Sequence, residues 1–294
     1  MLNPEKISSS LLLEGDADTA YRDPAAFYRN GVIYLYFTLV ESRNGCDPLE
    51  FVAMTATRDL IEFSPVRKLT PGDVALNYSS PGNVIEYNGI YYLCCQTYCR
   101  ENGEKFGNGR SRLQLMHSGD LVNWSEPELI RVKGCDMPEK EMGRMIDPYL
   151  FRAPGEKRFR CFYKQNGCSV STSPDLVNWT PLGHFDCGEN VSVVSDRPGH
   201  YLLYHSPDNG IGCKESGDLE HWKDRGAPLT LGQAEWPWAS GRLTAGTVLD
   251  LRESHDCILL FFHGSGGSGE EECFDNYASL GVAWSKDFIH WKWK

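Results

Sequence analysis

The sequence contains no hydrophobic run of membrane length and no cluster of basic residues. The apolar run Leu11–Leu13 is far too short for a membrane span or for the core of a signal peptide. The net charge is -11, and no group of Lys and Arg side chains offsets it. Nucleic acid and anionic membrane surfaces are therefore poor partners for this chain.

Regularly spaced pairs of cysteines are also lacking. The chain has 11 Cys residues, which are scattered and odd in number, whereas a secreted protein is expected to pair them. Cys94, Cys95 and Cys99 form the only tight group, and no second pair follows at zinc-finger spacing. The pattern favours buried, reduced thiols in a cytoplasmic protein over a metal site.

No useful stretch has the 3.6-residue apolar spacing of an amphipathic helix. Short apolar runs separated by turn residues are found instead. In two segments the dipeptide Asn-Gly stands between such runs, at Asn30-Gly31 and at Asn88-Gly89. This dipeptide suits a type I′ turn, which needs positive φ at both central residues, so each segment is predicted to be a β-hairpin. The sequence as a whole predicts an all-β fold.

A phrase close to Ser/Thr-x-Asp-Leu-x-x-Trp occurs five times. The copies begin at Thr57, Ser118, Ser173, Ser216 and Ser285. Their Asp residues are 43 to 69 residues apart, from Asp175 to Asp218 at the least and from Asp218 to Asp287 at the most. This spacing predicts a five-bladed β-propeller, with four-stranded antiparallel blades around a central channel. In each phrase the Ser/Thr and Asp form a turn, and the Leu and Trp pack between blades.

The fifth repeat is shortened at its end. Only Lys292–Lys294 follow Trp291, so the fourth strand of this blade must come from elsewhere. The apolar segment Ile7–Leu13 lies outside the first repeat. We expect it to close the last blade, because closure removes an exposed sheet edge. Residues 1–294 then form a single propeller domain.

Each repeat has an opening position, at the start of its first strand. These positions are Asp23, Ser80, Asp147, Glu189 and Ala245. First strands of propeller blades line the central channel, so these side chains are expected to meet at one mouth. Glycosidic cleavage needs one protonated and one ionised carboxyl group, and a third carboxylate raises the pKa of the acid. The alternative is structural, because an Asp before Pro often only forms a turn.

With these motifs the sequence resembles glycoside hydrolase family 43 and related five-bladed propeller enzymes. The matching segments are Arg22-Asp23-Pro24, Ile146–Phe151, Gly188-Glu189 and the closing phrases that begin at Ser118 and Ser173. The resemblance covers nearly the whole chain. The resemblance implies that Asp23 is the general base and Glu189 the general acid. It makes Asp147 the carboxylate that orients the other catalytic groups and tunes the pKa of the acid.

The resemblance implies an inverting, exo-acting glycosidase whose partner is a small carbohydrate, such as a short oligosaccharide or glycoside. A non-catalytic carbohydrate-binding propeller of the same fold is the alternative, and a scaffold for protein interaction is a weaker one. The chain has Glu189-Asn190-Val191 where the family often has Glu-Gly-Pro. It has Thr244-Ala245-Gly246 where many members place a His near an axial metal, so no metal or other cofactor is carried over.

Other residues are candidates for binding substrate. Trp236 and Trp238 lie in a loop that breaks the repeat length, and they could stack on a sugar or pack between blades. Arg22 and Arg242 flank channel positions and could bind sugar hydroxyls or a carboxylate, or pair with the acidic trio. Glu235 is a rival for the role of acid.

Two histidines end the second strands of adjacent repeats. These are His205 and His263. Either could approach the pocket, but they show no metal-ligand spacing and are expected to be structural.

Overall fold

The chain folds into five antiparallel β-sheets whose first strands contact one another in a ring, as the computed structural model shows for residues 2–43, 47–266 and 277–294. Each sheet is one blade, and successive blades follow one another in sequence. The predicted all-β, five-bladed propeller is confirmed. None of the described helices is long and apolar enough to span a membrane.

The blades are built from consecutive strands. The first blade contains β2 (Thr19–Arg29), β3 (Val32–Arg43), β4 (Asp47–Thr57) and β5 (Arg67–Lys68). The second contains β6 (Tyr78–Ser79), β7 (Val84–Tyr87), β8 (Ile90–Thr97), β9 (Leu113–Ser118) and β10 (Glu128–Leu129). Strands β6 and β7 both pair with β8, so they are two halves of one interrupted first strand.

The remaining blades have four strands each. The third contains β11 (Ile146–Phe151), β12 (Phe159–Lys164), β13 (Cys168–Ser173) and β14 (Thr180–Phe185). The fourth contains β15 (Glu189–Arg197), β16 (His200–Ser206), β17 (Gly212–Ser216) and β18 (Lys223–Asp224). The fifth contains β19 (Arg242–Leu251), β20 (Cys257–Ser265), β21 (Ser279–Ser285) and the N-terminal β1 (Leu11–Leu13). The short helical segments are Pro4–Lys6, Glu139–Glu141, Pro237–Ala239 and Arg252–His255.

The two Asn-Gly dipeptides form the predicted hairpin turns. Asn30 and Gly31 have φ of 51° and 79°, and Asn88 and Gly89 have φ of 52° and 78°. Both residues of each pair therefore lie in the left-handed region that a type I′ turn requires.

The closing phrases are turns, as predicted. Asp120 Oδ1 accepts hydrogen bonds from the backbone N–H groups of Val122 (2.9 Å) and Asn123 (2.7 Å). These donors and the Asn123 side chain hold the pKa of Asp120 well below its usual value. Leu121 adopts a φ of 68°, is 2% exposed and packs among residues of the first two blades. Each phrase thus directs an apolar side chain into an interface between blades.

The N-terminal segment closes the ring. Strand β1 pairs with β21, with Leu11 opposite Gly281 and Leu13 opposite Leu280. Ahead of β1, Ile7 is 2% exposed in the apolar cluster shared by the fifth and first blades. The predicted closure by residues near Ile7–Leu13 is confirmed.

We expect Ile7→Ala to lower the free energy of unfolding by about 2–4 kcal/mol, because it leaves a cavity where the ring closes. Ile61 is the matched control, since it is 53% exposed. Ile61→Ala should change the same quantity by less than about 0.5 kcal/mol. Urea unfolding measures both, and an equal effect in the two variants would show that the N-terminal segment does not close the ring.

Candidate active site

The first strands share an irregularity at the channel mouth. The pairing register between first and second strands shifts in the first, third, fourth and fifth blades, and in the second blade the first strand is interrupted. One residue at each irregularity has a φ between 42° and 54°. These residues are Asp23, Ser80, Asp147, Asn190 and Ala245. All five line the channel below the mouth.

The fourth opening position is therefore Asn190, and the predicted alignment of Glu189 with Asp23 and Asp147 was wrong by one residue. Glu189 pairs with Ser206 in the way that Arg22, the residue before Asp23, pairs with Thr38. Asn tolerates positive φ better than most residues, and Gly tolerates it best. The Asn190 φ of 50° thus explains how Glu-Asn can stand where the family often has Glu-Gly.

The same irregularity keeps Glu189 in the site. Neighbouring side chains of a regular strand point to opposite faces of the sheet. At the mouth, however, Glu189 and Asn190 line one pocket, as do Arg22 and Asp23. Asp147 lines it as well, so the pocket brings together all three carboxylates named from the sequence. They come from the first, third and fourth blades.

Asp23 is held by side chains from three blades. Its Oδ2 accepts hydrogen bonds from the hydroxyls of Thr38 and Ser80, both at 3.0 Å. Its backbone N–H donates to His263 Nδ1 at 3.1 Å. The Asp23 side chain remains 13% exposed. It is thus fixed in orientation but still accessible from the pocket.

Asp147 is the buried member of the trio, with 7% exposure. Burial, followed by the charges of Glu189 and Asp23, raises the pKa of Asp147 to about 8. The Arg144 guanidinium and the Ser80 hydroxyl offset part of this rise. The pocket therefore retains a proton on one of its carboxyl groups at neutral pH.

The two predicted arginines lie at the pocket, but the two tryptophans do not line it. Arg22 and Arg242 are among the lining residues. Trp236 stacks on Trp238 and on Phe262 of the fifth blade, with ring centroids 5.1 and 5.8 Å apart. These contacts lie within the fifth blade, and Trp236 also belongs to an apolar cluster that the fourth and fifth blades share, which corresponds to the packing alternative. Glu235 is exposed in the same loop and does not line the pocket, so of these two rival glutamates Glu189 is the one in the pocket with the two aspartates.

Sequence reasoning missed several residues of the pocket. Glu50 is 3% exposed, lines the pocket and pairs with Arg100. Tyr98 lines it from the segment between β8 and β9, and the Arg144 guanidinium lies 5.7 Å from the Tyr98 ring. Neither Glu50 nor Tyr98 belongs to a repeated motif. His263, which was expected to be structural, lies in the pocket wall, whereas His205 accepts the Gly188 N–H at 3.1 Å.

Within residues 2–43, 47–266 and 277–294, no group of three or more His, Cys, Asp or Glu side chains is placed to hold a metal ion. An axial metal therefore does not fit the described donors, and no step of the chemistry is assigned to one.

Solved structures match nearly the whole chain at low identity. A family 43 enzyme from Xanthomonas citri in complex with xylose is 14% identical, with a TM-score of 0.61, and 95% of this chain and 90% of that chain are covered. A family 43 β-xylosidase/α-arabinofuranosidase from a compost microbial metagenome, in complex with xylotriose, is 14% identical, with a TM-score of 0.64 and coverage of 94% and 93%. An exo-1,5-α-L-arabinanase from a bovine ruminal metagenomic library is 14% identical, with a TM-score of 0.63 and coverage of 95% and 99%.

The chain shares the fold of glycoside hydrolase family 43. No protein-family model matches it, and no curated protein matches it. The resemblance drawn from the motifs is thus confirmed as a structural similarity over nearly the full length.

The raised pKa of Asp147 predicts a pH-dependent gain of stability in Asp147→Asn. Between about pH 4 and pH 8 the unfolded chain has lost the Asp147 proton while the folded chain keeps it, so wild-type stability falls as pH rises. Asn cannot ionise and escapes this loss. We expect the variant to be more stable by about 1–3 kcal/mol at pH 8, with the difference vanishing near pH 4. Urea unfolding across this range measures it, and a pH-independent difference would contradict the assignment.

Proposed function

We propose that this protein is a glycoside hydrolase that cleaves short oligosaccharides or glycosides with inversion of the anomeric centre. The observation that carries the proposal is the meeting of Asp23, Asp147 and Glu189 in one pocket, where one carboxyl group stays protonated at neutral pH. Hydrolysis of a glycosidic bond needs a proton donor for the leaving oxygen and a carboxylate that activates water. The pocket contains groups for both roles.

The positions of the carboxyl groups in the ring support a division of roles. Asp147 and Glu189 lie on neighbouring blades, the third and fourth, and Glu189 is the charge that acts most strongly on Asp147. Two carboxylates side by side repel each other, so the pair tends to keep one proton. We assign Glu189 as the general acid, because it is less buried than Asp147.

Asp23 is assigned as the general base. It lies on the first blade, which is adjacent to neither the third nor the fourth. The hydroxyls of Thr38 and Ser80 donate to one of its oxygens and fix the orientation of the carboxyl group. Its distance from the acid along the ring favours the wider spacing of roughly 6.5–9.5 Å that leaves room for a water in inverting enzymes.

The substrate is proposed to be a small carbohydrate. Two of the structurally similar enzymes contain xylose and xylotriose, so pentosides are the first substrates to test. A pocket at the end of a channel admits the end of a sugar chain more readily than its middle, which supports exo action. A propeller that binds carbohydrate without turnover is the alternative outcome of the same experiment.

Aryl glycosides with good leaving groups should be hydrolysed by the wild type. Asp23→Asn should lower kcat at least about 100-fold on every substrate, because no base remains to activate water. Glu189→Gln should affect poor leaving groups most and spare activated ones, which need little protonation. Steady-state kinetics measure both, and proton NMR of the first-formed product gives its configuration.

Two results would contradict this mechanism. Retention of configuration would exclude inversion, and full activity of Asp23→Asn would remove its base. Sugar binding by calorimetry without any turnover would instead establish the carbohydrate-binding propeller.

The proton that Asp147 and Glu189 hold between them predicts that activity falls at alkaline pH. On an activated aryl glycoside, wild-type kcat/KM should fall above about pH 8, as the pocket loses its last carboxyl proton. Asp147→Asn removes the neighbouring charge, so the alkaline limb should move to lower pH. A pH–rate profile of both proteins tests this, and an unmoved or alkaline-shifted limb would show that Asp147 does not tune the acid.

A further inference from the structure

A set of hydrogen bonds joins the blades at the channel mouth. In four blades the residue with positive φ donates its backbone N–H to a side chain on the preceding blade's second strand. The bonds run from Ser80 to Thr38 Oγ1 (2.7 Å), from Asp147 to Gln96 Oε1 (2.6 Å), from Ala245 to Ser206 Oγ (2.8 Å) and from Asp23 to His263 Nδ1 (3.1 Å). We call this set the inter-blade ring. It fixes the backbone that carries Asp23 and Asp147.

The ring is open at the fourth blade. The position equivalent to Thr38 and Gln96 is Lys164, which pairs with Ile146 in the third blade. A lysine ammonium group has no acceptor, so it cannot receive the Asn190 N–H. The bond in the other blades therefore depends on the side chain at this position, because not every residue there has an acceptor atom.

His263 has its proton on a defined nitrogen. Nδ1 accepts the Asp23 N–H, so in the neutral ring the proton is on Nε2. Burial, together with the charges of Arg22 and Arg242, lowers the pKa of His263 well below its usual value, which keeps the ring neutral. Nδ1 also lies 3.6 Å from Asp23 Oδ1. A protonated Nδ1 would give up the backbone bond for one to this carboxylate.

We propose that His263 is a positioning residue for Asp23, and that it acts through its Nδ1 as an acceptor of the Asp23 backbone N–H. The inference rests on the proposed function, in which Asp23 is the base. The bond holds a left-handed residue at the irregularity of β2 and so sets where its carboxylate faces the pocket. A displacement of about 1 Å in a reacting group can lower the rate about 100-fold.

Three variants separate the two nitrogens of the ring. In His263→Asn the amide Oδ1 stands where Nδ1 was and can still accept the Asp23 N–H. In His263→Gln the amide lies closer to the position of Nε2. In His263→Leu no polar atom replaces either Nδ1 or Nε2. Ser206→Ala is the matched control, because it removes the ring bond to Ala245, whose side chain carries no carboxyl group.

We expect kcat on an activated aryl glycoside to stay within about threefold of wild type in His263→Asn, and to fall about 100-fold in His263→Gln and His263→Leu with little change in KM. Ser206→Ala should lower kcat much less than His263→Leu does, because Ala245 carries no carboxyl group. Thermal unfolding of every variant shows whether a loss of activity follows a loss of fold. Activity in the Gln variant with loss in the Asn variant would overturn the proposal, as would an equal fall in Ser206→Ala.

A readout without turnover keeps the inference separate from the proposed function. The chain has eight His residues, and selective ¹⁵N labelling with the His263→Asn spectrum as reference identifies the His263 signals. We expect a neutral ring with the proton on Nε2 from pH 6 to 8, and faster exchange of the Asp23 amide in the Gln variant than in the Asn variant. If the wild type cleaves no glycoside, the function fails, while these two spectra still decide the role of His263. A proton on Nδ1, or equal exchange rates, would overturn it.

Discussion

The pocket depends on a backbone constraint at the channel mouth, where one residue of each first strand adopts positive φ. For a residue other than glycine this conformation costs about 1 kcal/mol or more, and it persists only where the surroundings hold it. Here the inter-blade ring and the packing between blades hold it. The result is that consecutive residues, such as Glu189 and Asn190, line the same pocket. A regular strand would turn one of the two away.

The burial of Asp147 lowers the stability of the folded protein but keeps a proton in the pocket. Burying Asp147 beside two other carboxylates destabilises its ionised form. This raises the pKa of Asp147, so the group keeps its proton at neutral pH. The buried Glu50 is compensated differently, because Arg100 pairs with it. A second arginine at Asp147 would neutralise the charge but would also remove the tendency to retain a proton. The arrangement is therefore consistent with a need for an acid at neutral pH.

Much of the fold could be predicted from the sequence, because its signals are local and repeated. The Asn30-Gly31 turn and the Asp120 turn are formed by residues within a few positions of each other. The closure by β1 followed from counting strands. The register of Glu189 could not be found this way, since an irregularity adds a residue to one strand without any marker in the sequence other than a residue that tolerates positive φ.

The pocket residues that sequence reasoning missed, or expected to be only structural, share a different cause. Glu50, Gln96 and His263 reach the site from second or third strands, and their partners lie 50, 51 and 240 residues away in sequence. Only the pairing of whole strands brings them to the mouth. The placement of Trp236 illustrates the converse error, because an aromatic residue in an irregular loop packs on Phe262 of its own blade and does not line the pocket.

Two blades of a five-bladed propeller are either adjacent or not adjacent. Among the three carboxylates, two lie on adjacent blades and the third lies on a blade adjacent to neither. Asp147 and Glu189 lie on adjacent blades, and Glu189 is the neighbouring charge that raises the pKa of Asp147 most. Asp23 is adjacent to neither, and its charge has the smaller effect on Asp147. An inverting hydrolase requires one protonated carboxyl group and one separate carboxylate, and this arrangement contains groups for both. With acids on the first, third and fourth blades, one carboxylate has no acid on a neighbouring blade. Acids on three consecutive blades would each have an acid on a neighbouring blade.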